Sequence, residues 1–184
     1  MNKEGKRKEI TFTLIAAASL DGRITRGGKE GTGWTSTEDK RWFQKELDRC
    51  DALVMGRKTF DVIKRPLTPR NRIVFSHTRL FCYSQEHQNK DGEVVCFSGT
   101  RQKFFAILKE YQWNHIAILG GTNIYNWFLK RNLVDEIYLT LEPVIFGAGQ
   151  PFLATRFAMT SRFRLVSIKR LNPQGTLLLH YKKD

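Results

Sequence analysis

The sequence predicts one α/β domain: a mixed, mostly parallel central sheet with flanking helices and a C-terminal antiparallel hairpin. Three observations predict it. Two short apolar runs, Ala52–Met55 and His115–Leu119, stop on glycine and lead straight into helical patterns, at Gly56-Arg57-Lys58-Thr59 and at Gly120-Gly121 before Asn123–Lys130. Strand, glycine and helix start in succession make a parallel crossover unit. The run Ile10–Ala18, ITFTLIAAA, is apolar enough to be buried on both faces, which suits a central strand. Finally, Asn172-Pro173-Gln174-Gly175 separates two strand patterns, Phe163–Leu171 and Thr176–Lys182, with a hairpin turn signature.

In chain order, residues 1–9 read as a flexible basic tail and residues 10–184 as the domain. The small residues Ala16, Ala17 and Ala18 leave space at the carboxyl end of the first strand, where open α/β sheets hold their ligands. Ser19–Ile24 turns out of that strand into Thr25–Gly33, which carries four glycines in nine residues. This loop is either a mobile lid over a cleft or a plain surface connection. Ser36 or Thr37 caps a helix that carries Glu38 and Asp39 in its first turn and runs to about Leu47. After Gly56 a helical turn ends near Arg65-Pro66, Ile73–Phe75 is a strand, and residues 77–93 are polar and irregular. Glu93–Phe97 is a further short strand. Arg101–Tyr111 is an amphipathic helix with Phe104, Phe105, Leu108 and Tyr111 on its core side. Asp135–Leu141 alternates as a strand, and Pro143, Gly147 and Gly149 make the turn that follows.

Composition narrows the function classes. Of 184 residues, 41% are hydrophobic, which is a globular proportion. No apolar run approaches the roughly 18 residues of a membrane span, and no signal core follows the charged start, so a cytoplasmic protein is expected. Cys50, Cys82 and Cys96 lack CxxC spacing, and the four histidines (His77, His87, His115 and His180) lack a spacing such as HExxH; neither a disulfide framework nor a metal site is expected. The formal charge of +13 suits a polyanionic partner. Lysines and arginines are nevertheless spread along the chain, and no nucleic-acid-binding spacing is present, so nucleic acid is the less favoured partner.

Two features carry chemistry. Gly56 lets the backbone come close to a ligand, the helix start beyond it offers N–H groups, and Arg57 and Lys58 add positive charge; the unit is either an anion site or an ordinary crossover turn. The Gly120-Gly121 junction repeats this physics and suits a pyrophosphate. Asp39 shares a helix face with Trp42 and Phe43. It is either a solvated partner of the helix dipole or a carboxylate in an apolar cleft with raised proton affinity.

The residues MGRKTF, RPL, IVFS and ILGGTNIY, with the spacing Trp34-x4-Asp39-x3-Phe43, resemble dihydrofolate reductase and the wider superfamily that includes the reductase domain of riboflavin biosynthesis. The likeness extends from about Ile10 to Phe152. It implies a dihydrofolate-reductase-like fold and an NADPH cofactor held at Gly56, Arg57 and Thr59, with Lys58, Ser76 and His77 near its 2′-phosphate. Gly120, Gly121, Thr122 and Tyr125 at the second junction would also face the cofactor, as would Ala17 and Ile24, and the Gly-Gly bond is expected to be cis. On the substrate side it implies Asp39 as the catalytic acid, Phe43 packing on the substrate, Ile15 and Ala17 beneath the pterin, Thr140 paired with the acid, and Arg70 clamping the carboxylate of the folate tail.

The implied reaction is hydride transfer from NADPH to C6 of dihydrofolate with protonation at N5, in a monomer or homodimer. Ser19-Leu20-Asp21-Gly22 and Phe146-Gly147-Ala148-Gly149 look more like the riboflavin-pathway reductases, whose substrate is a ribosylamino-pyrimidine phosphate. A basic nucleic-acid-binding protein on the same scaffold is the reading from another class.

Overall fold

Eight strands form one sheet in the order β4-β3-β2-β5-β1-β6-β8-β7. The structure, a computed structural model, describes residues 10–27, 31, 33–63, 67–76, 92–154 and 161–184. The expected tail at 1–9, Arg65-Pro66, Cys82 and nearly all of the irregular stretch 77–93 lie outside the described residues, as do 28–30 and 32 of the glycine loop. The elements are β1 (Thr11–Ser19), α1 (Thr37–Leu47), β2 (Ala52–Gly56), α2 (Arg57–Val62), β3 (Arg72–Phe75), β4 (Val94–Phe97), α3 (Arg101–Glu110), β5 (His115–Ile118), α4 (Thr122–Leu129), β6 (Glu136–Glu142), β7 (Phe163–Arg170) and β8 (Leu177–Lys183). Neighbours from β4 to β6 run parallel, and β8 and β7 add antiparallel. The mixed, mostly parallel sheet expected from the sequence is the one observed.

β1 lies between β5 and β6, and its side chains supply both cores by period two. Phe12, Leu14 and Ala16 join the larger apolar cluster with Phe104 and Leu108 of α3 and Phe128 of α4. Ile15 joins the smaller one with Leu47 of α1 and with Leu53 and Met55 of β2. The helices therefore sit on both faces because both faces of the parallel strands are apolar. Phe104, fully buried, packs at ring-centroid distances of 5.3 Å from Phe97, 5.4 Å from Phe128 and 5.6 Å from Trp127.

Helix ends follow local chemistry. Ser36 caps α1, its hydroxyl accepting from the Asp39 N–H at 3.2 Å, and Thr100 caps α3 in the same way at 3.4 Å. The hairpin turns at Gly175, with φ of +101°, while the Asn172 side-chain oxygen accepts from the N–H groups of Gly175 and Thr176, both at 3.1 Å. β7 is the exposed edge and carries an irregularity between Leu165 and Ser167. No helix among the described residues is long and apolar enough to cross a membrane.

Truncating the aromatic centre tests this packing. Phe104→Ala is expected to cost about 3–5 kcal/mol in urea unfolding; a loss below about 1 kcal/mol would remove Phe104 from the centre of the core.

Candidate active site

The two glycine junctions meet at the carboxyl edge of the sheet because β2 and β5 are parallel neighbours, Val54 opposite Ile118. Beyond that register the Gly56 N–H donates to the Gly120 carbonyl at 2.8 Å. Gly120 has φ of +92°, and a Cβ there would lie 2.7 Å from the Tyr125 ring, so both backbone and space require glycine. The Gly120–Gly121 peptide is cis, as the resemblance implied. The position of a Cβ on Gly121 lies 3.7 Å from Thr59 Oγ1 and 3.8 Å from Ile24 Cδ1, which brings α2, the post-β1 turn and the second junction to one place. Neither Gly56 nor Gly121 provides a side-chain cap, so the leading N–H groups of α2 and α4 have no capping side chain.

Around this edge the expected cofactor residues take different positions. Lys58 is exposed, and Arg57 pairs with Asp61 at 3.2 Å on the surface of α2. Ser76 is buried at the end of β3, its N–H donating to the Phe97 carbonyl at 3.1 Å; His77 lies outside the described residues. Thr122 is buried and gives its hydroxyl to the Pro151 carbonyl. Tyr125 lies under the glycine pair, its hydroxyl donating to the Ile15 carbonyl at 2.9 Å; burial pushes its phenol above the ordinary range. It supports Gly120 from beneath, which a ring turned outward toward a ligand would not do.

The acid side is built by α1 and β6. Asp39 is only 6% exposed, so it is no solvated dipole partner. Burial pushes its proton affinity above the ordinary carboxylate range and the charge of Glu142 adds to this, while the hydroxyls of Thr140 and Thr35 and the Lys40 charge act the other way. Thr140 faces Ala17 of β1 in register. Its hydroxyl lies near enough to favour the charged form of Asp39, yet the pair stops short of a formed hydrogen bond and Oγ1 is buried without a partner among the described residues. Trp34 Nε1, five residues before Asp39, is likewise buried and unsatisfied. A buried hydroxyl without a partner beside a buried acid suits a flat polar ligand, while Trp34 packs edge-on against Phe146 at 4.9 Å.

Ile15 is buried and Ala17 half-buried along β1, and the half-buried Phe43 packs toward the Ile15 cluster. Arg70 stands apart. It is exposed just before β3, and the neighbouring Thr68 accepts from Gln44 at 2.6 Å, about a turn and a half along α1 from Asp39. Sequence reasoning named one acid; the structure brings a second, Glu142, buried at 4% exposure and two residues after Thr140. Period two along β6 was the available sign, since it puts both side chains on one face. Thr35, buried just ahead of the Ser36 cap, is a further hydroxyl acting on Asp39. The post-β1 turn is also strapped to the post-β6 turn: Asp21 accepts from the N–H groups of Phe146 at 3.1 Å and Gly147 at 2.9 Å.

The family model described as the RibD C-terminal domain matches residues 11–177. An uncharacterised Bacillus subtilis protein, YwjB, is 28% identical over 178 residues, covering 94% of this chain and 98% of that protein. A dihydrofolate reductase of Buchnera aphidicola is 31% identical over 139 residues, 75% of each chain. Among solved structures, Acinetobacter baumannii RibD is similar with a TM-score of 0.78 at 18% identity, over 96% of this chain and 59% of the RibD chain. Dihydrofolate reductase from Enterococcus faecalis, complexed with NADP(H) and RAB-propyl, is similar with a TM-score of 0.65 at 18% identity, over 95% and 96%. At these identities the structural likeness speaks for the fold.

The raised proton affinity of Asp39 has a consequence for stability. As pH rises above the ordinary aspartate value of 3.8, the unfolded chain releases this proton before the folded one does, so stability falls through that window and stays lower above it. Asp39→Asn is therefore expected to be more stable than the parent at about pH 7, with the gain vanishing near about pH 3. Urea titrations at the two pH values compare them, and a gain that is equal at both would contradict the assigned cause.

Proposed function

The chain belongs to the RibD C-terminal domain family, a reductase family with the dihydrofolate-reductase-like fold, and from that premise we propose that it is an NADPH-dependent dihydrofolate reductase. The reaction reduces 7,8-dihydrofolate to tetrahydrofolate. The observation that carries this reading is Asp39: a desolvated carboxyl on the aromatic face of α1, beside the unsatisfied Thr140 hydroxyl.

The residues at the glycine edge fit a dinucleotide. Gly56 and Gly120 allow close backbone approach, and a half-buried Gly121 flanked by Thr59 and Ile24 leaves room where a larger residue would intrude. Arg57, Lys58 and Ser76 stand where a phosphate-bearing ligand along α2 and β3 would be gripped, with Thr122 at the second helix start. The nicotinamide cofactor supplies the hydride when bound. Asp39 holds the amidine-like edge of the pterin and, by keeping a proton in the site, favours the protonated substrate; Thr140 takes up its missing hydrogen bond there, and Ile15, Ala17 and Phe43 form the apolar walls. In this reading Arg70 meets the outer carboxylate of an extended substrate.

A second reading has its own support. The family match and the strap from Asp21 to Phe146 and Gly147 favour a riboflavin-pathway reductase acting on a ribosylamino-pyrimidine phosphate.

Loss of reduced-nicotinamide absorbance with dihydrofolate tests the first reading. Asp39→Asn is expected to retain NADPH binding and to lower kcat/KM by about 10²-fold or more, most severely at neutral and higher pH; turnover close to the parent's across that range contradicts the role of Asp39. Turnover absent with dihydrofolate and present with the pyrimidine phosphate selects the second reading. Separately, Arg57→Ala is expected to weaken NADPH more than NADH, by about tenfold in the ratio of their dissociation constants; equal losses remove the phosphate contact.

A further inference from the structure

The start of α1 is held by a residue that the proposed reaction does not use. Glu142, the last residue of β6, accepts from the Ser36 N–H through Oε1 at 2.7 Å and from the Thr176 hydroxyl through Oε2 at 2.7 Å. Thr176 itself accepts from the Asn172 side-chain amide at 2.8 Å, and Asn172 is fixed by the hairpin turn. Both Glu142 oxygens act as acceptors, the pattern of a carboxylate without a proton. Ser36 is in turn the cap that accepts from the Asp39 N–H. One unbroken chain of hydrogen bonds thus runs from the C-terminal hairpin through Glu142 and Ser36 to the backbone of Asp39.

We propose that Glu142 is a positioning residue for Asp39: it fastens the first turn of α1 to β6, so that the Asp39 carboxyl is set against Thr140, and it presents a second negative charge to that carboxyl. The inference deepens the reductase reading and rests on it for its kinetic consequence. Glu142 is 4% exposed, Asp39 6% and Thr140 1%, so the three groups interact in a site that water screens poorly. The charged groups that act on Asp39 are Glu142 from β6 and Lys40 from its own helix. Facing Glu142, β1 presents Ser19 in register and the hairpin presents Thr176 and Asn172, none of them charged. The Glu142 charge is therefore not neutralised by those neighbours, and it acts to keep the shared proton in the Asp39 site toward higher pH.

The test separates clamp from charge with two variants of the full chain. Glu142→Ala removes both and is expected to lower the height of the kcat profile as well as its alkaline limb. Glu142→Gln keeps an oxygen for the Ser36 N–H and removes the charge, at the cost of the oxygen that accepts from the Thr176 hydroxyl; it is expected to move the alkaline limb of kcat with dihydrofolate to lower pH by roughly one unit. Because a change in kcat could have other origins, the Asp39 carboxyl carbon is also titrated by NMR in the ligand-free parent and in Glu142→Gln. A midpoint lowered by roughly one unit supports the proposal, and coincident midpoints overturn it. This titration needs no turnover. Absence of activity with dihydrofolate in the parent would thus count against the functional reading alone, while the carbon titration still decides the role of Glu142.

Discussion

One backbone hydrogen bond, from the Gly56 N–H to the Gly120 carbonyl at 2.8 Å, ties the two crossovers together at the carboxyl edge. It extends the β2–β5 ladder beyond Val54 and Ile118 to the point where both chains leave the sheet. Two helix starts consequently open side by side, and their backbone dipoles point positive ends toward the same edge. Larger residues would prop the junctions apart: at Gly56 a Cβ would press on Ile124 at 3.3 Å, and at Gly120 it would enter the Tyr125 ring. Tyr125, anchored to the Ile15 carbonyl, passes this constraint on to β1. The glycine edge and the strand beneath the acid site are thereby fixed to one another.

The acid side works against stability. Asp39 is taken out of water with incomplete compensation, and the Thr140 hydroxyl beside it has no partner among the described residues; a bond left unmade at a buried polar group costs about 1–3 kcal/mol. Close packing of Phe104, Phe128 and their aromatic neighbours on the opposite face supplies cohesion that such a site lacks. The division is spatial as well as energetic: the larger core lies with α3 and α4, and Asp39 lies on the opposite face, carried by α1.

Much of this was legible in the residues. The uniformly apolar run of β1 was legible as a central strand buried on both faces. Packing then shows Phe12, Leu14 and Ala16 on one face and Ile15 on the other, while the glycine-terminated strands marked the edge where the junctions meet. Ser36 was readable as a cap because capping is local. Asp39 was readable as unusual from its place among Trp42 and Phe43, although only burial decided between a solvated and a desolvated acid. Glu142 was not found. Its partners Ser36 and Thr176 are 106 and 34 residues away, and no local pattern connects them. Tyr125 was assigned to the right junction, but only packing could say that its hydroxyl turns inward to Ile15. Strand ends at β4, β7 and β8 moved by about one residue, as fraying ends do.

The position of β1 in the sheet imposes an order on synthesis. β1 is paired along one edge with β5 and along the other with β6, so its hydrogen-bonding edges stay open until the chain has been made through residue 142. Even then Glu142 lacks the Thr176 hydroxyl, which arrives only with the hairpin. A nascent chain emerging from the ribosome therefore carries an exposed ITFTLIAAA segment for most of its elongation, a ready target for chaperones and a hazard in their absence. The hold on Ser36 and the first turn of α1 is therefore completed only once the hairpin has closed.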